Sequence, residues 1–163
     1  MSLIPKDVHP SWNKFLTEDI VSELDDIEIK IGSNINPHHD NVLRFMKNNL
    51  YDIKAVILGQ DPYPEKGRAT GRAFEVGDLL SWNQTFRQVS LKNIIRLIYK
   101  NYNGINEYKD IKKFSEIQKE IEEGKFSILP PDKIFKSWEK QGVLLLNTYL
   151  SVEAGITGSH ISI

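Results

Sequence analysis

A three-layer α/β fold, with a short parallel sheet between helices, is the architecture this sequence predicts. Two observations carry that expectation. Ala55-Val56-Ile57-Leu58 and Val143-Leu144-Leu145-Leu146 are short, unbroken apolar runs, the pattern of strands buried on both faces in a parallel sheet. Segments with helical periodicity lie before and between them, and strands alternating with helices indicate helices layered on a sheet. The chain of 163 residues has the length of one domain with its own core, so 1–163 is expected to form a single domain.

The elements follow in order. Trp12 to Leu24 reads as a helix because Trp12, Phe15, Leu16, Ile20 and Leu24 recur at helical spacing. Asn36-Pro37 marks a turn. Asp40 then suits the N-cap of a helix burying Val42, Leu43, Phe45, Met46 and Leu50. The first strand stops at Gly59, and Ala73-Phe74-Glu75-Val76 returns as an extended piece. Leu91 to Tyr102 is an amphipathic helix carrying Ile94, Ile95, Leu97 and Ile98. Lys109 to Gly124 is strongly charged, a solvated helix or an excursion. Pro130-Pro131-Asp132 opens a further helix that runs through Phe135 and Trp138 to Gln141-Gly142. With only two strands recognisable, the sheet is expected to keep an open hydrophobic edge. A second copy, further chain, or residues 73–76 would close it.

Composition excludes several function classes. There is no cysteine, so disulfides, thiolate nucleophiles and cysteine-ligated zinc or iron–sulfur centres are ruled out. That usage fits a reducing cytoplasm. The segment from Met1 to Asp7 lacks the basic flank and apolar run of a signal peptide. No apolar run approaches the roughly 18 residues of a membrane span. A cytoplasmic protein without membrane association is expected. The net charge of −1 lacks the basic surplus usual in nucleic-acid binders. A compact site still holds phosphates through backbone N–H groups and hydroxyls, so affinity for long duplex DNA should be modest.

Three polar constellations stand at element ends. Gly59-Gln60-Asp61-Pro62-Tyr63 follows the first strand, at the sheet edge where open α/β folds bind ligands. Asp61 there either closes an Asx-turn or projects an acid into a cleft. Ser90-Leu91-x-Asn93-Ile94 opens a helix, where Ser90 is an N-cap, an anion contact, or both. Asn147 ends the second strand, as a turn residue or as an amide that donates and accepts at once.

Gly59-Gln60-Asp61-Pro62-Tyr63-Pro64, followed by Gly71-Arg72-Ala73-Phe74-Glu75-Val76, resembles the uracil-DNA glycosylases. Their motifs read Gly-Gln-Asp-Pro-Tyr-His and Gly-Leu-x-Phe-Ser-Val. Asn36-Pro37, Val42-Leu43-Arg44-Phe45, Leu144-Leu145-Leu146-Asn147, Leu150-Ser151-Val152-x-Ala154-Gly155 and Ser159-His160 extend the resemblance from about Trp12 to His160. The chain departs at Pro64, Arg72 and Glu75, and at Phe86-Arg87-Gln88-Val89, where the family is proline-rich.

The resemblance implies metal-free and cofactor-free hydrolysis of the N-glycosidic bond of uracil in DNA, leaving an abasic site. Asp61 would activate water and stabilise the oxocarbenium-like sugar. Gln60 would contact the base through its backbone. Tyr63 would exclude the thymine methyl, and Phe74 would stack on the flipped base. Asn147 would read uracil's N3–H and O4, and Ser90 would grip a DNA phosphate. The implied partners are uracil-containing DNA and a proteinaceous uracil-glycosylase inhibitor. No amine nucleophile for a lyase step stands in these motifs.

The family continues with an apolar strand ending near Trp-Gly and a His-Pro-Ser strand end. That His stabilises the departing uracil anion, and a nearby Leu wedges the duplex. Neither stands in this sequence, so the resemblance implies a domain incomplete at its C-terminus, with a sheet that lacks the last of the family's core strands. Losing one such donor costs about 10²–10³ in rate. His9-Pro10-Ser11 precedes a helix instead of following a strand. His160 falls outside the catalytic pair, and His38 and His39 are expected at the surface of a helix start. Two other readings remain: a catalytically impaired relative that only binds uracil or DNA, and an unrelated α/β domain for small molecules sharing the strand-edge geometry.

Overall fold

The computed structural model describes residues 2–163. They cluster into two compact units, one of residues up to Asp78 with Phe135–Ile163, the other Leu79–Ile134.

The first unit opens with a 3-10 turn at Pro10–Trp12, then α1 (Glu18–Ile31). The helix begins later than Trp12 because Thr17 is its cap: Thr17 Oγ1 accepts the Ile20 N–H at 3.4 Å. Glu18 and Asp19 in the first turn suit the positive end of the helix. Next come β1 (Ile35–Asn36) and α2 (His39–Val42). The single helix expected from Asp40 is instead α2 followed by 3-10 turns at Arg44–Lys47 and Leu50–Asp52. His38 occupies the cap position and Asp40 lies inside the first turn. Val42, Leu43 and Met46 are buried as expected, with Leu3 and Ile35, and Trp12, Leu24, Phe45 and Leu150 pack around them. His39 is buried, not at the surface, and its Nε2 bonds to the Gly32 carbonyl at 3.1 Å.

Two ladders follow. β2 (Ala55–Gly59) and β3 (Val143–Asn147) pair in parallel, from Ala55 opposite Val143 to Gly59 opposite Asn147. β1 pairs antiparallel with β4 (Val152–Glu153), Asn36 opposite Val152. β3 buries Leu144 and Leu145, as an apolar strand should. β2 does not: Val56, Ile57 and Leu58 are 52%, 39% and 62% exposed. The expectation of a strand buried on both faces therefore fails for β2. An apolar run states what a strand favours; burial also requires segments to cover it, and β2 pairs only with β3 among the described residues. Residues 73–76 do not fill the sheet either. They form no strand; a single bond from the Ala73 N–H to the Leu145 carbonyl (3.2 Å) ties them to β3.

The second unit holds α3 (Val89–Tyr102) and α4 (Phe114–Glu122). α3 buries Leu91, Ile95 and Tyr99, one stripe at helical spacing, while Leu97 is exposed. The charged stretch around α4 still buries Phe114 and Ile117. Its amphipathic periodicity outweighs its charge count, and it is not merely solvated. Phe86 meets Phe114 edge-on at 5.3 Å, and Tyr99 meets Phe126 at 5.1 Å, geometries favoured by the ring quadrupoles. α5 (Pro131–Lys140) starts with Pro131 at its first position, as expected, and its residues from Phe135 on belong to the first unit. No helix among the described residues is long and apolar enough to cross a membrane.

The unequal cover of the two strands is testable. Val56→Thr should change unfolding free energy by no more than about 0.5 kcal/mol, as at other exposed positions. Leu145→Ala should cost about 2–5 kcal/mol. Denaturant midpoints measure both, and equal costs would show that β2 is covered in solution.

Candidate functional site

Parallel pairing places the C-terminal ends of β2 and β3 side by side, so Gly59 and Asn147 lie on the same rung. The packing there is close. A Cβ added to Gly59 would stand 2.3 Å from Asn147 Oδ1 and 3.1 Å from Ala73 Cβ. Glycine lets the Asn147 side chain lie across the end of β2. That half-buried amide forms no side-chain hydrogen bond with any described residue. It is a free donor–acceptor pair at a strand end.

The loop after Gly59 is tied to the loop after Asn147. Thr148 N donates to the Gly59 carbonyl at 3.0 Å, and Tyr149 N to the Gln60 carbonyl at 2.9 Å. Asp61 is half-buried, and its Oδ2 accepts the Gly158 N–H at 2.8 Å. One carboxylate oxygen is thus held by the backbone while Oδ1 has no partner among the described residues. The Pro64 carbonyl accepts Asn36 Nδ2 (2.6 Å) and Gly155 N (2.9 Å). These bonds join the loop to the β1–β4 ladder at the cis Asn36–Pro37 bond. Proline at 64 removes a side-chain donor, but its carbonyl anchors the loop.

Tyr63 and Phe74 meet through a long bond, Tyr63 Oη to the Phe74 carbonyl at 3.5 Å. Burial, with Glu65 adding to it, pushes the Tyr63 phenol up to about 12. The phenol therefore stays neutral across the physiological range. Phe74 has φ of 65°, the one non-glycine in the left-handed region among the described residues. Such a conformation costs about 1–3 kcal/mol and gathers at functional sites. Its ring stacks on no other aromatic among the described residues.

Arg72 and Glu75 depart from the family letters together, and the structure pairs them. Arg72 Nη1 lies 2.8 Å from Glu75 Oε2, and Arg72 Nη2 bonds Glu139 of α5. Burial opposes the Arg72 charge, but Glu139 and Glu75 more than offset it and hold its pKa above the ordinary arginine value. Burial likewise opposes the Glu139 charge, and Arg72 outweighs it and holds the carboxyl below its usual range.

Gln60, Asp61, Tyr63, Phe74 and Asn147 thus share one unit, around the ends of β2 and β3. Ser90 belongs to the other unit, exposed at the second residue of α3. It is not the cap; Gln88 holds that position, with its side chain bonded to the Arg87 N–H and not to the helix, and the Ser90 hydroxyl has no hydrogen-bond partner among the described residues. His160 bonds Ser151 (2.9 Å). Sequence reasoning missed Gly158, whose contribution is a backbone N–H and carries no side-chain signature, and Gly59's steric role toward Asn147. Among the described residues no group of three or more His, Asp or Glu gathers as metal ligands.

No family model matches the chain. The uracil-DNA glycosylase of Campylobacter concisus is 33% identical over 162 residues, 95% of this chain and 58% of that one. That of Psychromonas ingrahamii is 31% identical, over 92% of this chain and 61% of its own length. Among solved structures, the UNG of Nitratifractor salsuginis superposes with a TM-score of 0.68 at 24% identity, covering 91% of this chain and 62% of that one. The mimivirus uracil-DNA glycosylase gives 0.58 at 21% identity. The fold is therefore the α/β fold of these enzymes, and the chain spans 56–61% of the length of the relatives it matches nearly throughout.

Two substitutions probe this geometry. Gly59→Ala should force the Asn147 amide off the end of β2 and cost about 1–3 kcal/mol of overpacking, read from the denaturant midpoint. Arg72→Leu should cost about 3–5 kcal/mol because it strands buried carboxylates. The triple change Arg72→Leu, Glu75→Ser, Glu139→Ala should recover most of that loss in a denaturant titration.

Proposed function

Because the chain belongs to the uracil-DNA glycosylase family, we propose that it excises uracil from DNA by hydrolysing the N-glycosidic bond, leaving an abasic site. The observation that carries this reading is the unpaired Asn147 amide on the rung beside the Asp61 loop. An amide in that state offers an acceptor to uracil's N3–H and a donor to its O4. Cytosine presents the reverse order and leaves both groups unsatisfied.

The chemistry follows from what the residues supply. The bond between the base nitrogen and the anomeric carbon breaks with its electron pair leaving on uracil, and the sugar gains oxocarbenium character. The Asp61 carboxylate, steadied by the Gly158 N–H, balances that charge, orients a water toward the anomeric carbon and takes its proton. Phe74 stacks on the flipped base. The neutral, buried Tyr63 blocks the position of a thymine methyl, and the backbone at Gln60 contacts the base. The exposed Ser90 hydroxyl on the first turn of α3 receives a DNA phosphate. The chain serves as one glycosylase domain in the cytoplasm, acting on uracil-containing DNA and open to a proteinaceous uracil-glycosylase inhibitor; a mimivirus UNG variant is solved in complex with UGI.

An oligonucleotide with one uracil, incubated with the chain and treated with alkali, should break at that position. Asp61→Asn should slow the cleavage about 10²–10⁴-fold with uracil binding retained. Unbroken DNA that still binds would identify a binding-only relative, and neither binding nor breakage would overturn the assignment.

A further inference from the structure

A polar cavity lies in the first unit, at the opposite end of the sheet from Asp61. It holds about 450 Å³ and is lined by Arg44, Lys47, Arg72, Lys136 and Lys140, beside the start of β3 at Gly142 and Val143. Local structure accounts for the clustering of cations. Arg44 and Lys47 stand three apart in a 3-10 turn, where such residues eclipse. Lys136 and Lys140 stand four apart on α5 and share one face.

The charges are poorly matched from within. The Arg44 side chain forms no hydrogen bond or ion pair with any described residue, and its buried Nε has no acceptor. Burial, then the neighbouring Arg72, holds its pKa below the ordinary arginine value. Arg72 is 5% exposed and also keeps a buried Nε without an acceptor. Lys136 and Lys140 are exposed and form no ion pair among the described residues. Two acids line the cavity. Glu139 is taken by Arg72 and Asn48, and Asp52 accepts from Asn49 at 3.0 Å. Lys47 is paired with Asp7 at 2.7 Å. Arg44, Lys136 and Lys140, none in an ion pair among the described residues, therefore line a cavity in which Asp52 is the one acid left without a cationic partner, and Ile53, Val143 and Leu144 complete its wall.

We propose that this cavity binds a small, multiply charged phosphate anion of pyrophosphate or nucleotide size, at a site separate from the uracil pocket. A planar guanidinium without a partner, beside two lysines, favours the geometry of a phosphate over a single halide. The apolar residues accommodate the uncharged part of a nucleotide.

Isothermal titration and thermal melting of the chain with inorganic pyrophosphate and with ADP, at constant ionic strength, test the assignment. Both should bind saturably and raise the melting temperature beyond a chloride control. The variant Lys136→Gln/Lys140→Gln should keep the ligand-free melting temperature and bind pyrophosphate at least tenfold more weakly. Arg44→Gln should weaken binding similarly without loss of ligand-free stability, since it removes an unpaired cation. Equal affinity in the lysine double variant, or equal stabilisation by chloride, would overturn the proposal. Displacement of pyrophosphate by a short uracil-free duplex would also overturn it, assigning the cations to a DNA backbone.

Discussion

Parallel pairing of β2 with β3 brings Gly59 level with Asn147, and the candidate site is built outward from that rung. Parallel strands require a long crossover, here everything between Gln60 and Gly142. The register has only one serviceable setting, since a slip by one residue turns every side chain to the opposite face. Asn147 would then lose its place across the backbone of Gly59. The bonds from Thr148 and Tyr149 to the Gly59 and Gln60 carbonyls continue the ladder past the strand ends. Loop geometry at Asp61 is in this sense an extension of sheet geometry.

The same pairing sets a limit. β3 buries two leucines, while β2 presents Val56, Ile57 and Leu58 to solvent. Exposed apolar area earns none of the roughly 25 cal/mol per Å² that burial contributes. The site therefore rests on a sheet whose first strand is held by its ladder and loop bonds more than by packing. The β1–β4 ladder, with the buried His39 and the Asn36–Pro64 bond, supplies a second anchorage for the loop on its far side.

Much of this was legible in the sequence, for identifiable reasons. Both strands, α3 and α5 announced themselves because short apolar runs, a stripe at helical spacing and a proline at the first turn are local signals. The polar residues at strand ends were legible for the same reason. What was not legible depends on partners far along the chain. Nothing local to Ala55–Leu58 states whether its faces are covered. Nothing around Arg72 points to Glu139 on α5, so the sequence shows two departures from the family letters without the ion pairs that join them. Gly158 acts through a backbone N–H that every residue but proline has. The broken helix after Asp40 was misread because Val42, Leu43 and Met46 satisfy a helical stripe and two short turns equally well.

Phe74 holds a left-handed backbone with a side chain ill suited to it. Glycine at that position would relieve the strain, yet it would remove the aromatic face on which the proposed role depends. Drift toward greater stability and retention of the stacking proposed for this ring would thus pull the residue in opposite directions. A population selected for thermal robustness alone would be expected to shed the ring here first, and the residue found at position 74 would record which pressure had prevailed.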